Sequence, residues 1–279
     1  MADLSGKVCV VTGASRGVGK GIALGLVEAG ATVHITGRTV AEGDHPLGMP
    51  GSLESVASEA ADYPGRLIAH RVDHAHDAET EAILREVIAA EERLDVLVNN
   101  AWPGYERMVE NNQFTWMSPL WEQPMWRWDE MIGVGVRAAY CGTRIAAEQM
   151  AAQRSGLIVN ISFWAAQKFL QNVVYGIAKA AADKMSADVA EQLREYGVAA
   201  VSLYPGLVRT ELVMRDAAYF DLSNSESPLF VGRAVAALAG AADLMELSGK
   251  ALVAAALAER YGFTDVDGSR PRPLTLDSV

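Results

Sequence analysis

The chain of 279 residues contains little cysteine and few basic residues. Cys9 and Cys141 are its only two cysteines. Two cysteines cannot build a disulfide framework, and the absence of a CxxC pair argues against a zinc or dithiol redox site. The 24 lysines and arginines are outnumbered by 35 acidic residues, which gives a formal charge of −11. This excess of negative charge argues against non-specific binding to nucleic acid or to an anionic membrane.

Long apolar runs and low-complexity stretches are also missing. The longest strongly apolar run, residues 251–258, is far too short to cross a bilayer. The first apolar run, residues 8–11, ends at a Thr-Gly turn and follows no basic stretch, so we expect no secretory signal peptide. The 25 glycines and 10 prolines are too few for a collagen-like chain. With so little cysteine, these features predict a cytoplasmic protein.

Short apolar runs alternate with longer amphipathic stretches along the whole chain. Buried strands are predicted at 8–12, 32–36, 67–72, 96–99, 156–161, 199–204 and 250–254. Helices are predicted at 18–29 and near 52–63, 78–93, 126–153, 174–196 and 228–243. Strands that are apolar on both faces and alternate with helices indicate a parallel sheet covered on both sides. We therefore predict a single doubly wound α/β domain over residues 1–279, with about seven parallel strands.

Between the first predicted strand and the first helix, residues 12–19 read TGASRGVG. Gly13, Gly17 and Gly19 allow the backbone to approach a diphosphate closely, and the start of the helix offers it unpaired N–H groups. A glycine cluster alone is also typical of an ordinary tight turn. The strand–turn–helix context favours a dinucleotide-binding site.

The end of the second strand predicts which dinucleotide is bound. An acidic residue there would hold the ribose 2′-hydroxyl of NAD, but this chain reads Thr36-Gly37-Arg38. Arg38 and Arg16 can hold a 2′-phosphate, which predicts NADP(H) over NAD(H). The alternative is that both arginines are solvated surface residues. Asp73, after the third strand, is predicted either to accept a hydrogen bond from adenine or to cap a turn.

Ser162, Tyr175 and Lys179 form the candidate catalytic group. Tyr175 and Lys179 are four residues apart at the start of a predicted helix, which places them on one face. Ser162 follows the fifth predicted strand, and strand ends and helix starts meet at the same edge of such a sheet. Carbonyl reduction needs a proton donor, and a nearby ammonium lowers the pKa of a phenol from its usual value of about 10. The serine hydroxyl can hold the carbonyl oxygen and stabilise negative charge on it.

These motifs resemble those of the short-chain dehydrogenase/reductase family. The resemblance rests on TGASRGVG, the NNA at 99–101, the Ser162–Tyr175–Lys179 spacing and Pro205-Gly206. Longer segments, among them LDVLVNNAWPG and YGIAKAAADK, are similar to the dehydrogenase/reductase member-one branch. The resemblance covers residues 6–268. It implies a Rossmann fold, an NADP(H)-linked carbonyl reductase and a homodimer or homotetramer.

The resemblance also implies a role for each matching residue. Ser162 would position the substrate, Tyr175 would donate the proton, and Lys179 would bind the nicotinamide ribose and lower the tyrosine pKa. The complete set of predicted cofactor contacts, drawn from the residues and from the resemblance, is Gly13, Ser15, Arg16, Gly17, Val18, Gly19, Arg38, Asp73, Asn100, Tyr175, Lys179, Pro205, Gly206, Val208 and Thr210.

Three features depart from the family pattern. Trp102 stands where the usual NNAG has its glycine, and Gly135 stands where a helix asparagine normally supports a water-linked proton relay to the lysine. The relay must then use water and backbone, or be absent. The 41–51 loop either folds over the adenosine end or is a disordered insertion, and we favour the insertion.

Aromatic residues suggest the nature of the substrate. Ser162, Trp102 and Trp164 are predicted substrate contacts, and the other aromatic residues predicted beside the cleft are Tyr105, Trp116, Trp121, Tyr219 and Phe220. They predict an apolar cleft for a bulky hydrophobic ketone or aldehyde, and ordinary packing is the alternative. The 102–125 loop and the 209–227 segment are expected over this cleft, and the latter is a candidate lid.

Other functions remain open at this point. The histidines of HRVDHAHD at 70–77 resemble a metal cluster only by count, and we predict no metal site. The partner is expected to be a small carbonyl or alcohol substrate, with no nucleic acid and no membrane. The rival functions are an NAD-linked alcohol dehydrogenase and a non-catalytic NADP-binding regulator.

Overall fold

A seven-stranded parallel sheet forms the centre of the computed structural model, which describes residues 2–45, 48–110 and 113–279. Its strands are β1 (Val8–Val11), β2 (Thr32–Gly37), β3 (Arg66–Arg71), β4 (Val96–Asn99), β5 (Gly156–Ile161), β6 (Val198–Tyr204) and β7 (Ala251–Val253). Their order across the sheet is β7-β6-β5-β4-β1-β2-β3. The order reverses between β1 and β4, and the carboxyl ends of the strands at such a reversal form a ligand-binding crevice.

Helices cover both faces of the sheet. The longer ones are α1 (Gly17–Glu28), α2 (Leu53–Ala60), α3 (Asp77–Glu91), α4 (Arg137–Gln153), α5 (Val173–Leu193), α6 (Pro228–Ala239) and α7 (Ala254–Tyr261). One apolar core joins α1, α2, α6 and α7 to the sheet, and a second joins α3, α4 and α5 to its other face. The prediction of a doubly wound α/β domain is confirmed. No helix among the described residues is long and apolar enough to cross a bilayer.

Most predicted elements agree with the structure to within a few residues, and the exceptions have physical causes. The helix predicted near 126–153 is three segments: a short helix at Met125–Trp128, a π-helical segment at Asp129–Val136, and α4. Gly133 and Gly135 lie in the π-helical segment, where their weak helix propensity eases a change of helical pitch. The apolar run 251–258 contains the strand β7 and the first five residues of the helix α7, which was not predicted.

The segments predicted to flank the cleft contain short structural elements. The 102–125 loop holds a two-stranded antiparallel pair, Val109–Glu110 with Gln113–Phe114. The 209–227 segment contains the helix Glu211–Arg215 and the strand Ser225–Glu226. That strand pairs in parallel with Leu207–Val208. Residues 46 and 47 of the 41–51 loop lie outside the described residues.

The helices α1 and α6 approach each other more closely than most helix pairs. A Cβ atom built on Gly21 of α1 would lie 2.0 Å from the carbonyl carbon of Pro228. Backbones can come this near only where no side chain intervenes. This contact holds the start of α1, and therefore the glycine turn, against the rest of the domain.

We expect Gly21→Ala to lower the free energy of unfolding by about 3 kcal/mol, because the added methyl group forces the two helices apart. Gly133→Ala is the matched control, since a Cβ atom there meets nothing within 4 Å. Urea denaturation of both variants measures the effect. Equal free energies of unfolding for the two variants would show that α6 moves away from α1 without loss of stability.

Candidate active site

The glycine turn after β1 is shaped by close backbone contacts. Gly13 has φ +67°, and a Cβ atom there would lie 2.7 Å from Cα of Ala101. A Cβ atom on Gly19 would lie 2.3 Å from Nδ2 of Asn100 and 2.4 Å from the carbonyl oxygen of Gly13. The predicted turn therefore has no room for side chains at these two positions, and a ligand can approach its backbone closely.

Asn100 fixes the turn against the end of β4. Its Nδ2 donates hydrogen bonds to the carbonyl oxygens of Thr12 at 3.0 Å and Gly13 at 2.8 Å. Ser15 is buried and Val18 is half-buried within the same structure. Asn100 thus joins the glycine turn to the carboxyl end of β4.

A carboxylate lies at the N-terminus of α1, where a dinucleotide needs an anion site. The backbone N–H of Gly17 donates to Oε2 of Glu211 at 2.8 Å. Glu211 begins the helix Glu211–Arg215, and the predicted contact Thr210 is the N-cap of that helix. Free N–H groups and the helix dipole make such a terminus attractive to anions. The glycine turn therefore fits a diphosphate, and the Glu211 carboxylate occupies an anion position there.

The two arginines at the predicted 2′-phosphate position have partners of their own. Arg38 forms an ion pair with Glu106 at 2.6 Å. Arg16 donates to the carbonyl oxygens of Pro50 at 2.8 Å and Gly51 at 2.7 Å, so these described residues of the 41–51 loop lie against the glycine turn. Half of the Arg38 side chain is exposed, which leaves its guanidinium accessible to a ligand.

Asp73 adopts the capping role that the sequence left open. Its Oδ1 accepts a hydrogen bond from the backbone N–H of Ala75 at 3.0 Å, which closes a turn after β3. Contact between Asp73 and adenine stays a prediction.

Ser162, Tyr175 and Lys179 converge at the carboxyl end of β5, and all three are buried. The hydroxyl of Ser162 donates to the carbonyl oxygen of Lys179 at 3.2 Å. Nζ of Lys179 donates to the carbonyl oxygen of Ile161 at 3.1 Å and lies 5.6 Å from the ring centroid of Tyr175. The three groups that carbonyl chemistry requires therefore share one small volume.

Asn172 sets the orientation of this part of α5. Its side chain is the N-cap of the helix and accepts a hydrogen bond from the Tyr175 backbone at 3.0 Å. Its Nδ2 also donates to the carbonyl oxygen of Trp116 at 3.0 Å, which ties the 102–125 loop to the helix. An asparagine three residues before Tyr175 is an N-cap signal that the sequence analysis missed.

The electrostatics of the catalytic group differ from the sequence expectation. Burial lowers the pKa of Lys179 from 10.5 to about 7, and Asp183 offsets this only in part. Burial also raises the pKa of Tyr175 well above its ordinary value of 10, and the neighbouring Tyr105 adds to the rise. The expected lowering of the tyrosine pKa by the lysine is therefore not found in the protein alone, because removal from water penalises both charged forms.

Aromatic rings enclose the hydroxyl of Tyr175. The hydroxyl of Tyr105 donates to it at 2.9 Å. Trp116 and Trp102 lie with their ring centroids 5.2 Å and 5.9 Å from that of Tyr175. The rest of the predicted aromatic cleft is only partly assembled, since Trp121 and Tyr219 are more than four-fifths exposed.

Trp164 begins a short 3-10 helix two residues after Ser162. Its ring packs edge-on against Tyr204, with centroids 5.1 Å apart. The Tyr204 hydroxyl accepts a hydrogen bond from Gln167 at 3.1 Å and donates to Asp183. Tyr204 was not predicted as a site residue, because its position in a buried strand gave no sign of a polar role.

The loop after β6 brings Pro205, Gly206 and Val208 to the crevice. The Gly206 N–H donates to Oε1 of Glu226 at 2.9 Å. Glu226 is buried, and its pKa is raised to about 7. Both ends of the 209–227 segment are anchored, because Arg209 pairs with the buried Asp265 at 2.9 Å and Glu226 lies in the paired strand. Any lid motion is therefore restricted to the residues between these anchors.

Comparison with known proteins agrees with this geometry. The family model for the short chain dehydrogenase matches residues 7–219. Dehydrogenase/reductase SDR family member 1 of Mus musculus is 40% identical over 96% of this chain and 86% of its own length. The Homo sapiens protein of the same name is 39% identical over 100% and 89%. A crystal structure of a metagenomic short-chain oxidoreductase in complex with NADP has a TM-score of 0.71 and 32% identity, covering 90% of this chain and 97% of that one.

The fold and the site define an oxidoreductase of the Rossmann class. The chain belongs to the short-chain dehydrogenase/reductase family, and the resemblance to the member-one branch is confirmed. The family binds a nicotinamide cofactor and acts on alcohol or carbonyl groups of small molecules.

The lowered pKa of Lys179 predicts a pH-dependent stability. Between pH 7.5 and 8.5 the unfolded chain keeps this lysine protonated, whereas the folded protein does not, so unfolding takes up a proton. The free energy of unfolding should therefore rise with pH, by about 1 kcal/mol over this interval, relative to Lys179→Met. Urea denaturation at both pH values measures the difference. Lys184→Met, an exposed lysine of the same helix, should leave the slope unchanged. Parallel curves for the wild type and Lys179→Met would mean that the buried ammonium stays charged.

Proposed function

We propose that the protein is an NADP(H)-dependent oxidoreductase that reduces the carbonyl group of a bulky hydrophobic ketone or aldehyde. The observation that carries the proposal is the buried convergence of Ser162, Tyr175 and Lys179 beside an anion-binding glycine turn. When bound, the nicotinamide supplies the hydride. Side chains of the protein position the substrate and transfer the proton.

Tyr175 is the proton donor in this proposal. Its raised pKa keeps the phenol protonated at neutral pH, which suits a group that gives up a proton to a new alkoxide. The Tyr105 hydroxyl, 2.9 Å away, shows that an oxygen atom can sit within hydrogen-bond distance of this donor. A substrate carbonyl oxygen would take a comparable position after Tyr105 moves aside.

Ser162 and Lys179 support that proton transfer. The Ser162 hydroxyl can rotate from the Lys179 carbonyl to the substrate oxygen and hold it in place. An ammonium on Lys179 stabilises the phenolate that remains after transfer, because opposite charges attract strongly in a site that excludes water. Lys179 would also hold the nicotinamide ribose.

The cofactor preference rests on Arg16 and Arg38. The residue directly after β2 is Arg38 and not an acidic residue, and its guanidinium already pairs with the Glu106 carboxylate. Two guanidiniums suit a phosphate and would offer nothing specific to a ribose hydroxyl. The metagenomic relative in complex with NADP supports this choice.

Two alternative functions remain. An NAD-linked alcohol dehydrogenase would use the same catalytic group in the oxidative direction. A non-catalytic NADP-binding regulator is favoured only by Gly135, and the intact buried catalytic group argues against it.

We also propose a homodimer or homotetramer. Tyr140 on α4 and Ile177 on α5 are large apolar side chains exposed to 62% and 43%. An apolar surface on two long neighbouring helices is typical of an interface between subunits. A cytoplasmic location stays a prediction.

Removal of the proton donor tests the proposed reaction. We expect Tyr175→Phe to lower kcat/KM for carbonyl reduction by about 10²–10⁴-fold, because the donor is lost while the cleft keeps its shape. Steady-state kinetics measures this, and the Kd of NADPH should stay nearly constant. Tyr196→Phe changes an exposed tyrosine that lies before β6 and is the control. Unchanged turnover in Tyr175→Phe would remove this residue from the reaction.

Charge changes at the adenosine end test the cofactor. Arg38→Asp should weaken NADPH binding by about 10–100-fold, because a charge-assisted contact with phosphate becomes a repulsion. Glu106→Gln should tighten it a few-fold by releasing Arg38 from its exposed partner. Arg66→Asp removes a similarly exposed arginine that pairs with Glu91, and it should have no effect. Fluorescence titration measures the Kd values, and insensitivity to Arg38→Asp would reject the 2′-phosphate site.

A comparison of substrates tests the cleft. Because Trp102, Tyr105 and Trp116 surround the Tyr175 hydroxyl, a large aryl ketone should have a higher kcat/KM than a three-carbon keto acid. Assays with both NADPH and NADH measure it. Preference for the small acid would show that the rings pack only against one another.

A further inference from the structure

Trp102 occupies a slot that two glycines keep open. A Cβ atom on Gly135 would lie 2.7 Å from both Cε3 and Cζ3 of Trp102. A Cβ atom on Gly104 would lie 2.8 Å from Cε2 and Cζ2 on the other side of the indole. A side chain at either position would therefore push the indole out of its place.

The indole in this slot covers the catalytic lysine. Nζ of Lys179 lies 4.0 Å from the Trp102 ring centroid, within the range of a cation–π contact. The one hydrogen bond of Nζ among the described residues goes to the Ile161 carbonyl oxygen. The other groups that face Lys179 are Tyr175 and Asp183, both on its own helix.

We propose that Trp102 is a positioning residue whose indole, seated between Gly104 and Gly135, holds the Lys179 ammonium beside Tyr175. The inference rests on the proposed function, since it assigns a task within the same catalytic group. Its physical basis is the negative face of the indole, which attracts a cation most strongly where water is excluded.

The position of the indole accounts for two departures from the family pattern, Trp102 and Gly135, at once. An asparagine at position 135 would collide with the indole, and a glycine at position 102 would leave the space over Lys179 unfilled. The indole also fills the volume between Gly135 and Lys179, so a proton relay through that volume is closed. Burial already lowers the pKa of Lys179, and the indole face favours its charged form.

A double-mutant cycle on the protein without cofactor tests the arrangement. Gly135→Asn should lower the Tm by about 5 °C, because the side chain strikes the indole. In the Trp102→Gly background the same change should cost far less, since the space is then free. Gly133→Asn is the control, because a Cβ atom there meets nothing within 4 Å, and its effect should be the same in both backgrounds. Additive effects of Trp102→Gly and Gly135→Asn would overturn the shared slot.

A second measurement separates the electrostatic role from packing. In the cofactor-free protein labelled with ¹³C at lysine Cε, NMR titration reports the pKa of Lys179, and Lys179→Met assigns its signal. Trp102→Leu should lower that pKa by about 0.5–1 unit, whereas Trp102→Phe keeps an aromatic face and should move it less. Equal titration of both variants and the wild type would overturn the proposal.

Activity then connects the contact with catalysis. Trp102→Leu should lower kcat about tenfold, leave KM within a factor of three and shift the alkaline limb of the pH profile to lower pH, with partial rescue in Trp102→Phe. If the wild type reduces no carbonyl substrate, the proposed function fails, while the titration still decides the Trp102–Lys179 contact. Equal losses in the Leu and Phe variants with an unshifted profile would reduce Trp102 to a packing role.

Discussion

The burial of one ammonium group governs the organisation of the site. Lys179 lies at the centre of a volume closed by β5, by α5 and by the loop after β4, where water cannot stabilise its charge. Its favourable contacts are a carbonyl oxygen, an aromatic face and a carboxylate one turn along the helix. These contacts stabilise the ammonium less than hydration does, so small changes around Nζ alter whether Lys179 is charged. The neighbouring phenol experiences the same dry surroundings, which keep it protonated.

The sheet supplies the frame in which this balance is possible. The reversal of strand order between β1 and β4 opens a crevice at their carboxyl ends, with the glycine turn on one side and the catalytic group on the other. Close contact between α1 and α6 fixes the turn, and the Asn172 cap fixes the first turn of α5. Rigid elements thus hold the groups, while the segments between them shape the opening.

Much of this arrangement could be predicted from sequence because it follows from local pattern. The strands at 96–99 and 156–161 are short runs buried on both faces, and their predicted bounds match the structure. The catalytic spacing in α5 follows from helical geometry alone. By contrast, Gly17 meets Glu211 across 194 residues, and Arg38 meets Glu106 across 68. Such contacts depend on how loops fold back over the crevice, and no periodicity encodes that. The π-helical segment was also missed, since glycines at 133 and 135 weaken an α-helix without indicating which other helical pitch replaces it.

Tyr105 and Glu106 are consecutive residues, yet they bind groups at opposite ends of the crevice. Tyr105 donates a hydrogen bond to the Tyr175 hydroxyl, and Glu106 forms an ion pair with Arg38. One peptide unit therefore links the two contacts mechanically. A displacement of this one segment would therefore release both the Tyr175 hydroxyl and the Arg38 guanidinium.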